Sequence, residues 1–141
     1  HPLSRRQRQM CIRDRRQSID TGKAVEQGRR FAAGCRVSGG LVYTSGLTAR
    51  TPDGTLAGEG DIVRQTEQCT QNVLDVLAAA GLGAESIVKV VIYVTDIEAY
   101  EAARPASAPL YTARPVSTLI EVPRLQEPAM MVEIEAVAAL T

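Results

Sequence analysis

The chain has 141 residues, 16 basic and 16 acidic, with three Cys, no Trp and 45% hydrophobic residues. That length suits one domain with a buried core, and the composition excludes a disordered or collagen-like chain. No apolar run approaches the ~20 residues of a membrane helix, and because His1 is the only histidine, a Ser-His-Asp triad, a His-rich zinc site and a histidine base within the domain are excluded.

The neutral net charge hides an asymmetry. Residues 1–16 carry Arg5, Arg6, Arg8, Arg13, Arg15 and Arg16 against the single acid Asp14, so the rest of the chain is acidic on balance. A basic arm of this kind suits nucleic acid, a membrane surface or a transit signal. The run lacks an apolar period and caps, however, and it resembles a translated library-adapter peptide. It is set aside as a non-native or disordered arm, with 17–29 a poorly defined lead-in and one domain over 30–141. No apolar core of a secretory signal is present. Cys35 and Cys69 form no C-x-x-C pair and have no histidine partner, so each reads as a small core hydrophobe in a reduced, cytoplasmic, metal-free protein.

In chain order, Phe31–Val37 reads as a short strand ended by Ser38-Gly39-Gly40. Leu41–Thr48 reads as a second strand, with Val42, Thr44 and Gly46 on one face and Leu41, Tyr43 and Ser45 on the other. Pro52-Asp53-Gly54 is a turn, and a brief strand follows near Leu56. From Asp61 to Ala80 the period becomes helical. Ile62, Thr66, Cys69, Val73, Leu77 and Ala80 form the stripe, Val76 widens it, and Arg64, Glu67, Gln68, Gln71 and Asp75 make the wet side. Asp61 suits the N-cap and Gly81 the position past the C-cap.

Ser86–Asp96 is the strongest strand, rich in β-branched residues. Asp96 caps a second helix that Pro105 and Pro109 kink or divide before about Tyr111. Tyr100 and Tyr111 read as packing residues. Strands over Val116–Val122 and Ala129 to about Leu140 complete the chain, the last alternating Val132, Ile134 and Ala136 with Glu133 and Glu135. The result is an α+β mixed sheet with two helices on one face. The other face is also partly apolar and needs a second cover, which points to an oligomer.

Four stretches, VYTSG (Val42–Gly46), AAAGLGAESIVKVVIYVTDI (Ala78–Ile97), RPVSTLIEVPRL (Arg114–Leu125) and VEIEAVA (Val132–Ala138), resemble the Rid family, also called YjgF or reactive intermediate deaminase. The resemblance covers about residues 30–141. It implies a chorismate-mutase-like fold, a homotrimer with clefts between subunits, and hydrolysis of short-lived enamines and imines such as 2-aminoacrylate to a 2-keto acid and ammonia, without metal or cofactor. Such chemistry needs a cation for the substrate carboxylate, a polar group to orient water, and donors for developing charge.

Carried over residue by residue, the resemblance gives Ser45 and Gly46 as the pocket's Ser-Gly and Glu133 as the catalytic, water-positioning acid. Its carboxylate-binding arginine falls on Ser117, with Leu119 on the same strand face, so this chain lacks that cation. Arg114 lies an odd number of residues away and points to the opposite face. Counting from Asp96, a pocket position on the second helix falls near Arg104, which is expected to supply the charge instead. Weak or no activity on 2-aminoacrylate is expected from the loss at 117. Three function classes remain: an imine or enamine deaminase, a trimer that binds small 2-keto or imino acids without turnover, and RNA cleavage or translation inhibition. The third is disfavoured because the native part is acidic and its aromatics lack basic neighbours. No membrane partner is expected.

Overall fold

The computed structural model describes Arg16–Ile19, Gly22, Ala24, Gln27, Gly28, Arg30 and residues 34–140, with the backbone alone for residues 17–19 and 34–37. Of the basic arm over 1–16, all but Arg16 lies outside the described residues, as do the aromatic Phe31 and the side chain of Cys35. Strands β1 (Arg16–Ile19) and β2 (Gly34–Val37) form an antiparallel pair of their own. The β1 strand was not expected from its short polar sequence. The Arg16 guanidinium ties the pair to the body of the protein, donating to the carbonyls of Glu85 and Ala113 at 2.6 Å each.

The main sheet holds β3 (Leu41–Tyr43), β4 (Ile87–Val94), β5 (Val116–Glu121) and β6 (Val132–Ala139) in the order β3-β6-β4-β5. Only β4 and β5 run parallel, because helix α2 (Ile97–Ala103) and a 3-10 helix (Arg104–Tyr111) cross over between them. The division of that crossover falls where Pro105 removes an amide donor. Near Leu56 a single bridge to Arg50 replaces the brief strand.

Helix α1 (Ile62–Ala79) begins as its sequence dictates. The Asp61 carboxylate accepts from the Arg64 amide at 3.1 Å. It ends in a Schellman arrangement: Gly81, at φ +75°, donates to Ala78 and Leu82 donates to Leu77. Ile62, Thr66, Cys69, Val73 and Leu77 are buried as expected, whereas Ala80 and Val76 are exposed and Gln68 is buried. The buried stripe is shifted because loops cover the helix flank and need polar partners there. Gln65, wholly buried, donates to the carbonyls of Gly58 (3.1 Å) and Ala129 (2.9 Å) and accepts from the Met131 amide (2.9 Å). Asn72 donates to the carbonyls of Thr48 and Arg50, both at 2.8 Å.

The pairing register assigns the two sheet faces. Val90, Ile92 and Val94 lie opposite Ala136, Ile134 and Val132, and this face packs with Cys69, Val73, Leu77, Tyr100 and Leu110 in one core. The other face carries Lys89, Val91 and Tyr93 beside Val137, Glu135 and Glu133, with Leu41 and Tyr43 at one edge and Thr118 and Ile120 at the other. Tyr43 is 70% exposed, and Leu41 and Ile120 are also open to solvent. Leu77→Ala is expected to lower stability by about 2–5 kcal/mol through a cavity between α1 and the sheet, read as a fall in the urea midpoint with an unchanged slope.

Candidate functional site

The strand expected over Leu41–Thr48 is interrupted. Tyr43 lies opposite Val137, and the Thr44 amide donates to the Ala136 carbonyl at 2.9 Å. The return bond from the Ala136 amide goes to the Thr44 hydroxyl (3.0 Å) rather than to a main-chain carbonyl. That hydroxyl in turn donates to the Ser45 carbonyl at 2.8 Å. Regular pairing resumes with Leu47 opposite Ile134. Ser45 and Gly46 therefore both stand opposite Glu135, which is a β-bulge with one extra residue. The expected alternation places Gly46 with Val42 on the helix face, and the bulge turns it to the open face.

This turn brings Gly46 against Glu133. A Cβ on Gly46 would collide with the Glu133 carboxylate, whose Cδ lies 3.0 Å away and Cγ 3.3 Å. Only glycine allows so close an approach of backbone and carboxylate. Ser45 and Gly46 are exposed and Glu133 is half-buried. No main-chain bond joins the Ser45 or Gly46 amide to β6, so the bulge carries two N–H donors outside the ladder. Asn72 holds the segment that follows the bulge through the Thr48 and Arg50 carbonyls, and an Arg50–Glu127 ion pair of 2.6 Å links that segment to the one preceding β6.

Beside Glu133, Tyr93 donates its phenol proton to Glu135 at 2.7 Å. That bond, with some desolvation and the charges of both glutamates, raises the Tyr93 pKa. Burial pushes the Cys69 thiol up to about 12, and the Glu133 charge adds to the effect. Cys69 is thus a protonated core side chain, unsuited to nucleophilic attack.

Ser117 and Leu119 lie elsewhere. Their register opposite Val90 and Ile92 puts them on the helix face, across the sheet from Glu133. The Ser117 hydroxyl bonds the Tyr111 hydroxyl at 2.8 Å. Arg104 lies nearby on the 3-10 helix, but its guanidinium is engaged by Glu101 at 2.7 and 3.3 Å. A single chain therefore unites Ser45, Gly46 and Glu133, and separately gathers Ser117, Leu119 and Arg104 near the helices. The residue that sequence reasoning missed is Arg30, whose guanidinium lies 3.9 Å from the centre of the Tyr111 ring. Its position in an aperiodic segment gave no signal. An open hollow of about 660 Å³ lined by Thr95, Asp96, Ile97, Glu98 and Glu121 holds none of these residues. Its Asp96 and Glu121 carboxylates are spent on the amides of Ala99 and Ile97.

Because the hydrogen bond to Glu135 favours the neutral phenol, its stabilising effect is complete below the ordinary tyrosine pKa of about 10. It is lost as pH rises through the higher folded value. Ultraviolet titration of tyrosinate is expected to show the Tyr93 transition moving down towards 10.0 in Glu135→Gln; an unmoved transition would remove the bond from the account.

Residues 21–140 match the family described as Endoribonuclease L-PSP. The RutC family protein slr0709 of Synechocystis is 32% identical over 104 residues, covering 72% of this chain and 79% of its own. Protein HMF1 of Saccharomyces cerevisiae is 34% identical over 100 residues, covering 70% and 76%. The Rid-family protein YyfB of Yersinia pestis has a TM-score of 0.81 at 29% identity, covering 89% of this chain and 99% of that one. E. coli TdcF, solved with bound serine, has a TM-score of 0.65 at 26% identity, covering 79% and 92%. The α+β sheet with helices on one face is thus the chorismate-mutase-like architecture that the resemblance implied. The match over most of the chain and the shared fold place this protein in the Endoribonuclease L-PSP family, also called YjgF/Rid.

Proposed function

We propose that this chain forms a homotrimer whose intersubunit pockets bind small imino or 2-keto acids and hydrolyse the imine with release of ammonia. The observation that carries the reading is the Glu133 carboxylate seated against Gly46, in a bulge whose two amides lie outside the ladder. Glu133 orients a water molecule for attack on the imine carbon. The carbon–oxygen bond forms as one water proton passes to the nitrogen; the new hydroxyl then gives up the second proton to the nitrogen, the carbon–nitrogen bond breaks, and ammonia leaves a keto group behind. An enamine such as 2-aminoacrylate enters the same path after protonation at its terminal carbon. The Ser45 and Gly46 amides face charge that develops on the substrate.

A second subunit is required because Ser117 and Glu133 occupy opposite faces of one sheet. The exposed Leu41, Tyr43 and Ile120 favour burial of the open face against another copy. The serine bound by TdcF supports a ligand of amino- or keto-acid size. RNA is a poorer fit, because Glu133 and Glu135 on this face repel phosphate.

Imines generated in situ from a panel of amino acids by an amino-acid oxidase test the reading, with ammonia and keto-acid release followed against the uncatalysed rate. Glu133→Gln is expected to reduce the acceleration by about 10²-fold or more, with the mass remaining trimeric. No acceleration with any imine, or an undiminished rate in the variant, would overturn the deaminase reading. Light scattering is expected to give about 45 kDa for a 15.1 kDa chain; a stable monomer would remove the pocket.

A further inference from the structure

We propose that Arg30, together with the Tyr111–Ser117 hydroxyl pair, holds the carboxylate of a small organic acid on the helix face beside β5. The proposal deepens the reading above by supplying the anion holder of that pocket, and it rests on that reading for the class of ligand alone.

The argument starts from charge. Arg30 is partly buried, and its planar guanidinium lies over the Tyr111 ring with 3.9 Å to the ring centre. Its hydrogen-bond partners are neutral: the Arg104 carbonyl at 3.2 Å and the Ser107 hydroxyl at 3.3 Å. The ion pairs among the described residues are Arg50–Glu127, Arg64–Glu67 and Arg104–Glu101, so no described carboxylate pairs with Arg30. A guanidinium has five N–H donors, and among the described residues two acceptors meet it, so the remaining donors are the ones assigned here to an anion. Stacking on Tyr111 fixes the plane of that fork.

The neighbouring hydroxyls add a donor. When Tyr111 and Ser117 share one hydrogen bond, one of their two protons remains free for a further acceptor. Burial raises the Tyr111 pKa, which keeps the phenol protonated. Ser117 is half-buried, so its hydroxyl is the part of the pair nearer to solvent, while Tyr111 is buried. Ser107 contributes no such donor, since its proton goes to the Arg104 carbonyl at 2.8 Å. Glu101 is hydrogen-bonded to Arg104 and feels the Arg30 charge only as a weaker, longer-range effect, so Arg104 is the poorer cation.

Calorimetric titration of the full chain with pyruvate and with 2-oxobutyrate tests the proposal. The unaltered protein is expected to bind both. Arg30→Gln is expected to weaken binding by roughly ten- to hundredfold. Arg30→Lys keeps the charge without the fork and is expected to fall between. Ser117→Ala leaves Arg30 in place and is expected to weaken binding by about threefold or more, so the proposal remains readable if Arg30→Gln fails to fold. Unchanged affinity in Arg30→Gln, absence of binding in the unaltered protein, or a loss confined to Arg104→Gln would each overturn it. Loss of turnover in Glu133→Gln combined with unchanged affinity in Arg30→Gln would sink this inference and leave the deaminase reading standing. Arg30-dependent binding without turnover of any imine would do the reverse.

Discussion

The Thr44 hydroxyl governs the geometry of the candidate site. By accepting the Ala136 amide it takes the place of a main-chain carbonyl, and the ladder absorbs one extra residue before Leu47 regains the register. Everything distinctive about the open face follows from that substitution. Gly46 turns towards Glu133, two amides leave the ladder, and Leu47 still returns its side chain to the core. A regular strand here would present an unbroken row of paired amides with no place for a ligand to meet the backbone.

The helices supply the counterpart of this irregularity. An amide group in a loop costs free energy unless it finds a partner, and the same is true of a carbonyl. Gln65 and Asn72 meet that demand from α1, each serving two loop carbonyls. Their position on the buried flank explains why the helix carries glutamine and asparagine where a purely apolar stripe is the simpler solution. The polar residues there hold the segments that flank the Ser-Gly bulge and Glu133, so the core and the site share a single support.

Much of this arrangement was legible in the sequence, because local chemistry dictated it. Asp61 and Gly81 marked the ends of α1, the β-branched run marked β4, and Pro105 marked the change from α2 to a 3-10 helix. Alternation in Val132–Ala138 correctly separated Glu133 and Glu135 from the core. The bulge was illegible, since its cause is a side-chain hydroxyl competing with a carbonyl across strands, and no spacing rule records that. The face of Ser117 relative to Glu133 was hidden for a different reason. It depends on the parallel register of β5 against β4, which a crossover of two helices sets. Arg30 went unnoticed because its importance arises from a long-range contact with Tyr111 rather than from any motif.

The ion pair between Arg50 and Glu127 has a mechanical meaning. It joins the loop after the bulge to the loop before β6, so the segments leading to Gly46 and to Glu133 meet at the same end of the sheet. The pair is solvent-exposed and contributes about 0–1 kcal/mol, so it aligns these two segments, while the hydrogen-bonded bulge itself sets the contour that a visiting molecule meets.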